Sequence, residues 1–328
     1  MGEIDLRIEE FSLSDDDDER ANQIPEPSGD SSVTRPGDLW ILNEHRVLCA
    51  SALERIAYST LMGSALAEMV FIDPPYNVAI DGNVSGLGAA RHREFVMASG
   101  EMSEEEFQLF LKKAFSLLRR YSTSNSLHFV FMDWRHTGEV LAAGHDVYNE
   151  LINLCVWTKN NAGMGSFYRS QHELVFLFKP QKGSHRNNVQ LGQYGRNRTN
   201  VWNYPCANSF SRSGEEGNLL ALHPTVKPAA LVGDAIMDCT ERGGIVLDSF
   251  LGSGTTVIAA QRTGRRCYGL ELDPRYVDTI VRRWQTFTRD AAIHSESGRS
   301  FAEIEEELRG RCGSATAKHR PSPIAIMK

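Results

Sequence analysis

The segment Phe71-Ile72-Asp73-Pro74-Pro75-Tyr76 closes an apolar run with an acid, two prolines and an aromatic ring. An open α/β sheet collects its chemistry at the carboxyl ends of its strands, and Asp73 falls at such an end. A carboxylate beside a fixed backbone carbonyl, that of Pro74, offers two acceptors to a single amino group. An amino nitrogen on an aromatic ring is a poor nucleophile because its lone pair is delocalised into the ring. Two acceptors draw that nitrogen toward a tetrahedral, more reactive form. Pro74 and Pro75 fix the local φ angles and keep the acceptors aimed. Tyr76 adds a face for stacking a planar ring, worth about 1–3 kcal/mol. Taken alone, the same residues also describe a stiff strand-to-loop turn with a capping acid.

A second constellation runs from Val246 through Asp248-Ser249-Phe250-Leu251-Gly252-Ser253-Gly254-Thr255-Thr256, followed by Tyr268-Gly269-Leu270-Glu271-Leu272-Asp273. It reads as strand, glycine turn, helix, strand, and an acid at the second strand's end. Gly252 and Gly254 let the backbone turn tightly and approach a ligand closely, with Ser253 and Thr255 beside them. Glu271 follows where an acid can hold the two hydroxyls of a ribose. No Gly-Lys-Ser/Thr follows, so the turn is not a P-loop. The third glycine that a NAD fingerprint wants near Val257 is missing, which disfavours an oxidoreductase. A third piece, His223-Pro224-Thr225-Val226-Lys227-Pro228, enters a helix. Thr225 and Lys227 there suit a carboxylate, although a solvated lysine at a helix entrance fits as well.

The elements that must position these groups alternate. Apolar strands are expected at Arg46–Cys49, Met69–Ile72, Leu127–Met132, Leu154–Thr158, Leu174–Phe178, Ile245–Leu247 and Cys267–Leu270, and helices at Glu104–Arg120, Pro228–Cys239, Thr255–Arg262 and Pro274–Arg289. Ser103 and Glu106 form a capping box for the first of these helices. Near-continuous apolar strands alternating with helices predict a doubly wound, mostly parallel Rossmann-like sheet.

The 328 residues suffice for a full core, and the six scattered cysteines show no metal or disulfide spacing, so no metal is expected and a reducing cytoplasm is. No run is apolar enough to span a membrane. The net charge of -7 is concentrated: residues 1–30 hold eleven acids and two arginines, leaving the remainder net +2. Residues 157–213 carry eight Lys or Arg against one acid, Glu173. Interleaved aromatics and amides make Lys159, Arg169, Arg186, Arg196, Arg198 and Arg212 candidates for phosphate contact, with a solvated face as the plainer alternative.

Asp73–Tyr76, the Phe250–Gly254 turn, Glu271 and His223–Pro228 together resemble the amino-methyltransferases that modify adenine N6 or cytosine N4 in DNA. The catalytic tetrapeptide precedes the cofactor turn, with a basic segment between them. That order resembles the circularly permuted β group, in which the insertion recognises the target. The resemblance implies S-adenosylmethionine as cofactor and double-stranded DNA as partner. It places Phe250, Gly252, Gly254 and Lys227 along the cofactor, Glu271 on its ribose and Asp248 near its methionine end. Asp73, Pro74 and Tyr76 would hold a flipped base. Asp-Pro-Pro-Tyr is more typical of the adenine enzymes. Ala50-Ser51 stands where the family often has Gly-Asp, so Ser51 would replace an acid near the cofactor adenine, and a neutral hydroxyl binds more weakly there.

Met97–Met102, His128–Trp134 and Gly163–Ser170 are similar to a subgroup often fused to a ParB-like domain, and Glu3–Leu6 through Arg35–Asp38 resembles the junction after it. The expected organisation is an acidic disordered leader over 1–36 and a catalytic domain over 37–159 and 223–290. A basic target-recognition insertion over 160–222 and a C-terminal extension over 291–328, unstructured from about Gly310, complete it. The expectation is a cytoplasmic adenine-N6 DNA methyltransferase, with room for a homodimer. A cytosine-N4 enzyme and a DNA-binding protein that has lost its chemistry are the alternatives.

Overall fold

The computed structural model describes residues 20–25, 32–78, 100–163, 167–193, 197–206 and 226–317, with side chains to 310. Its strands are β1 (Leu39–Leu42), β2 (His45–Cys49), β3 (Ala67–Ile72), β4 (Ser122–Met132) and β5 (Glu150–Thr158). They continue with β6 (His172–Lys179), β7 (Val201–Asn203), β8 (Ile245–Asp248), β9 (Arg266–Glu271) and β10 (Ile293–His294). The helices are α1 (Arg55–Met62), α2 (Glu104–Arg120), α3 (Thr137–Val147), α4 (Ala229–Cys239), α5 (Thr255–Thr263), α6 (Pro274–Thr288) and α7 (Phe301–Ala317).

The strands form one sheet in the order β10-β1-β2-β9-β8-β3-β4-β6-β5-β7. From β2 to β4 all neighbours are parallel, and β6 then runs antiparallel to both β4 and β5. Side chains alternate across each strand, so β3 sends Met69 and Phe71 to one face and Val70 and Ile72 to the other. Helices α4 to α7 cover the first face; α1 to α3 cover the second. Burial on both faces is why these strands read as continuous apolar runs.

Chain reversal sets the site. Strand β3 leads through α2 to β4 on one side, whereas the adjacent β8 leads through α5 to β9 on the other. The crevice beyond the carboxyl ends of β3 and β8 is therefore the switch point at which such sheets bind ligands. With Val70 opposite Leu247, both motifs singled out from the sequence open into that crevice.

Every expected strand lies within an observed one, and α2 carries the expected capping box, with Ser103 accepting from the Glu106 N–H. Three expectations need correction, and two helices were not expected. Strands β6 and β7, which fall inside the expected insertion over 160–222, pair within the main sheet, so the described part of that span is not separate from the catalytic domain. The leader is not disordered through residue 36. The Asp278 carboxylate accepts from the Val33 and Thr34 N–H groups at 2.7 and 2.9 Å, and Arg283 donates to the Ala21 carbonyl at 2.7 Å. Gly310 lies inside α7, anchored by Phe301 packing 5.1 Å from Trp40. Finally, α1 and α3 had no readable start signal: Glu54 and His136 precede them without a side-chain cap.

Helix α3 also contains Gly144, a residue that argues against a helix by about 1 kcal/mol relative to alanine. Its reason is packing, because a Cβ there would lie 2.4 Å from Cζ of Phe178. The Phe178 ring is fully buried and stacked on Tyr148 at 5.0 Å, so it has nowhere to go. Gly144→Ala should therefore destabilise the fold by about 1–3 kcal/mol despite the better helix former. Urea unfolding measures this, and a stabilised variant would contradict the packing account.

Candidate active site

Asp73 directly follows β3, with Tyr76 folded back over it. The Tyr76 hydroxyl lies 2.5 Å from Asp73 Oδ1 and 3.1 Å from Glu173 Oε2, and its single proton serves one of them at a time. The Lys227 ammonium donates to Asp73 Oδ2 at 2.5 Å and meets Glu173 Oε2 at 3.0 Å. Lys159 pairs with the other Glu173 oxygen. Lys227 and Glu173 are both buried, at 5 % exposure each, and Lys227 sits 5.0 Å from the Phe131 ring centroid and 5.7 Å from that of Trp157.

Burial of such charges is tolerated only when they are paired. Here two acids face two lysines. Burial pushes Glu173 up, but Lys227 and Lys159 outweigh it and bring its carboxyl down to about 2. Asp73 moves the other way: burial and the charge of Glu173 raise it, against the pull of Lys227. The Asp73 side chain keeps 22 % exposure, open to a substrate group.

Beside it, the turn after β8 is organised by two acids. Asp248 Oδ1 accepts from the Phe250 N–H at 2.9 Å, and Oδ2 from the Thr256 hydroxyl at 2.6 Å. Glu271 Oε2 accepts from the Gly252 N–H at 2.8 Å and Oε1 from that of Asp273 at 2.9 Å. Burial, as the largest cause, raises both carboxyls to about 7. Asp248 feels the charges of Asp73 and Lys227, which places the two strand ends within electrostatic reach. Gly252 and Gly254 take φ values of 51° and 81°, the left-handed region that a bare backbone accepts. A Cβ on Gly254 would also meet Ile280 at 2.9 Å. At the neighbouring strand end, the Ala50 N–H donates to the Glu271 carbonyl at 3.0 Å, and the Ser51 hydroxyl accepts from Leu53 at 3.2 Å.

Several residues face elsewhere than expected. Lys227, expected along the cofactor, is held by Asp73 and Glu173 beside the Asp73–Tyr76 turn. Ser253 and Thr255 turn their hydroxyls to the buried Arg283 of α6, at 3.2 and 3.1 Å, so they brace the turn from behind. Among the expected phosphate contacts, Lys159 is taken by Glu173 and Arg186 by Glu241, while Arg198 binds Asp234 and Asp238. Arg169 donates to the carbonyls of Ala162 and Gly163 at 2.8 and 2.9 Å, which ties off the β5–β6 loop. Arg196, Arg212 and Thr225 lie outside the described residues. Glu173 was read from the sequence only as a lone acid among cations. A single acid inside an apolar strand, His172–Lys179, was the available signal that it needed a buried partner. Among the described residues no group of three His, Cys, Asp or Glu could hold a metal ion, and no helix is long and apolar enough to cross a membrane.

A doubly wound sheet with an acid-aromatic turn and an acid-flanked glycine turn at adjacent strand ends defines an S-adenosylmethionine-dependent methyltransferase. More narrowly, the chain belongs to the DNA methylase family of N6 and N4 enzymes, whose profile matches residues 67–282. It is 26 % identical over 235 residues to the Type II methyltransferase M2.MboI of Moraxella bovis, spanning 67 % of this chain and 81 % of that one. With M.ScaI of Streptomyces caespitosus, also a Type II methyltransferase, it shares 39 % identity over 96 residues, 29 % of this chain and 31 % of that one. Its fold is similar to the M1.HpyAVI complex with S-adenosylmethionine, at a TM-score of 0.51 and 21 % identity over 72 % of this chain and 97 % of that one. It is also similar to the cytosine-N4-specific PvuII methyltransferase, at 0.55 and 17 % over 81 % and 92 %.

The residues of the glycine turn suit the cofactor's chemistry: bare backbone at Gly252 and Gly254, and two carboxyl side chains, Asp248 and Glu271, beside it for hydroxyl and cationic groups. The protonation of Asp248 is testable without the cofactor. Its folded carboxyl titrates near 7 against about 3.9 when unfolded, so the fold binds the extra proton between these values. Its stabilising contribution is full below about pH 4, is lost as pH rises toward about 7, and is then constant. Asp248→Asn can keep the Phe250 bond on its carbonyl oxygen and donate its amide N–H to the Thr256 hydroxyl in place of the present bond, but it has no charge to bury. Its stability relative to the native chain should climb from pH 5 to pH 8 in urea unfolding; a pH-independent difference would contradict the assignment.

Proposed function

We propose that the chain methylates N6 of adenine in duplex DNA, with the base extruded into the crevice at Asp73–Tyr76. The observation that carries this reading is the Asp73–Tyr76 turn standing beside Asp248 and the glycine turn at the sheet's switch point. S-adenosylmethionine, when bound, supplies an electrophilic methyl group. The protein's task is then to orient a weak nucleophile. Asp73 accepts one N–H of the base, the Pro74 carbonyl accepts the other, and the Tyr76 ring stacks on the base. Proximity and alignment provide most of the acceleration. Asp248 and Glu271 fix the glycine turn and present acids to the cofactor's methionine and ribose ends.

Adenine is favoured over cytosine by the residue type at position 73, which the resemblance associates with N6 chemistry. Of the cations assigned to DNA, Arg169, Arg196 and Arg212 are the ones we assign to phosphates, since Lys159 and Arg198 serve the interior. We assign the enzyme to the cytoplasm, a reading supported by a DNA substrate and by cysteines without disulfide spacing.

Labelled S-adenosylmethionine with mixed-sequence duplex DNA, read by nucleoside mass spectrometry, tests the reading. N6-methyladenine is the expected product, and Asp73→Ala should lower the rate by about a hundredfold or more. N4-methylcytosine would overturn the choice of base. Undiminished transfer by Asp73→Ala would overturn the mechanism, and DNA binding without transfer would favour a protein that has lost its chemistry.

A further inference from the structure

Glu173 belongs to neither strand-end turn. It is the second residue of β6, opposite Trp157 on β5, and enters the site from the antiparallel side of the sheet. Its two oxygens divide the positive charge around them. Oε1 takes Lys159, while Oε2 takes Lys227 and the Tyr76 hydroxyl at 3.0 and 3.1 Å. Lys227 and Tyr76 are also the groups bonded to Asp73, on Oδ2 and Oδ1. The hydrogen-bond partners of Asp73 among the described residues are thus shared with a second buried carboxylate.

We propose that Glu173 is a positioning residue for the reaction at Asp73. It shares Lys227 and Tyr76 with Asp73, which both groups approach more closely, so that neither is committed to Asp73 alone and Asp73 keeps acceptor capacity for the target amino group and, after transfer, for that group's surplus proton. The inference rests on the methyltransferase reading above.

The balance of the reaction shows why this matters. The nitrogen lone pair forms the new N–C bond as the S–C bond breaks, and the S–C electron pair stays on sulfur. The nitrogen is left positively charged with two hydrogens. One proton passes to Asp73, the nitrogen recovers its lone pair, and Asp73 releases the proton to solvent. A lysine committed wholly to Asp73 would oppose that step twice, by occupying Oδ2 and by placing a like charge beside the arriving proton. Sharing Lys227 with Glu173 reduces both effects, and Lys159 keeps the four-charge cluster neutral. The groups facing Asp73 are Tyr76 from its own turn, Glu173 from β6, Lys227 from the entrance to α4 and, at longer range, Asp248 from β8. Among these, Glu173 raises the Asp73 carboxyl and Lys227 lowers it.

The test uses the full chain with Glu173→Gln, Glu173→Asp and Lys227→Met. Carbon-13 NMR follows the Asp73 carboxyl through its titration without DNA, and kcat for methyl transfer to duplex DNA is measured against pH. In Glu173→Gln the Asp73 midpoint should fall by about one pH unit, since the lysine charge then rests on Asp73 alone. The acid limb of kcat should move down with it, and kcat at neutral pH should drop about tenfold. Glu173→Asp should restore both in part. Lys227→Met should move the midpoint upward, which keeps the test decisive if Glu173→Gln folds poorly. An unmoved midpoint, or a lower kcat with an unmoved acid limb, would reduce Glu173 to a structural ion pair and overturn the proposal. If the native chain transfers no methyl group, the methyltransferase reading fails, and the titration alone still decides whether Glu173 governs Asp73.

Discussion

The arrangement depends on one buried lysine held between two carboxylates. Lys227 enters from the start of α4, Asp73 from the end of β3, and Glu173 from β6, so a single ammonium ties three separated chain segments together. Removing one partner from such a cluster leaves a buried charge without compensation and costs about 3–5 kcal/mol. The reward is positional. An acid at a strand end is common, but here its orientation is set from both sides, by Tyr76 on Oδ1 and Lys227 on Oδ2.

That cluster would have no chemical use without the sheet's reversal between β3 and β8. Because these strands are parallel neighbours whose connections leave in opposite directions, their carboxyl ends open into one crevice. In the proposed reaction, one end would supply acceptors for a nucleophile and the other a glycine turn flanked by Asp248 and Glu271. The raised carboxyls of this cradle follow from the same geometry: burial at the strand ends pushes both acids up, and the backbone N–H groups that hold them offset only part of that rise. Arg283 secures the turn from behind, joining Ser253 and Thr255 to the ordered part of the leader at Ala21.

What the sequence made legible was local. Strands covered on both faces announced themselves as apolar runs, the Ser103–Glu106 capping box marked α2 to the residue, and both strand-end motifs were visible as contiguous words. What stayed hidden was decided by contacts between distant residues. Glu173 meets Tyr76 across 97 positions, and Asp278 orders Val33 across 245. Composition alone made the leader look disordered, because its acids and small residues gave no hint of the carboxylate waiting on α6. Lys227 was read as a cofactor ligand since its helix-entrance position suits an anion; the structure supplies two anions from the protein itself. Counting cations over 157–213 overstated the free positive charge because the neutralising acids Asp234, Asp238 and Glu241 lie beyond that window.

The central claim is that the two strand ends form one reaction site, with the donor group presented to Asp73 by the turn after β8. A crystal structure with an unreactive S-adenosylmethionine analogue, carrying an amine in place of the transferable methyl group, tests it most directly. The account predicts the analogue's ribose on Glu271, its methionine end beside Asp248 and its amine directed at the Asp73–Tyr76 turn. An analogue bound with that amine pointing away from Asp73, or seated outside the crevice between β3 and β8, would contradict it.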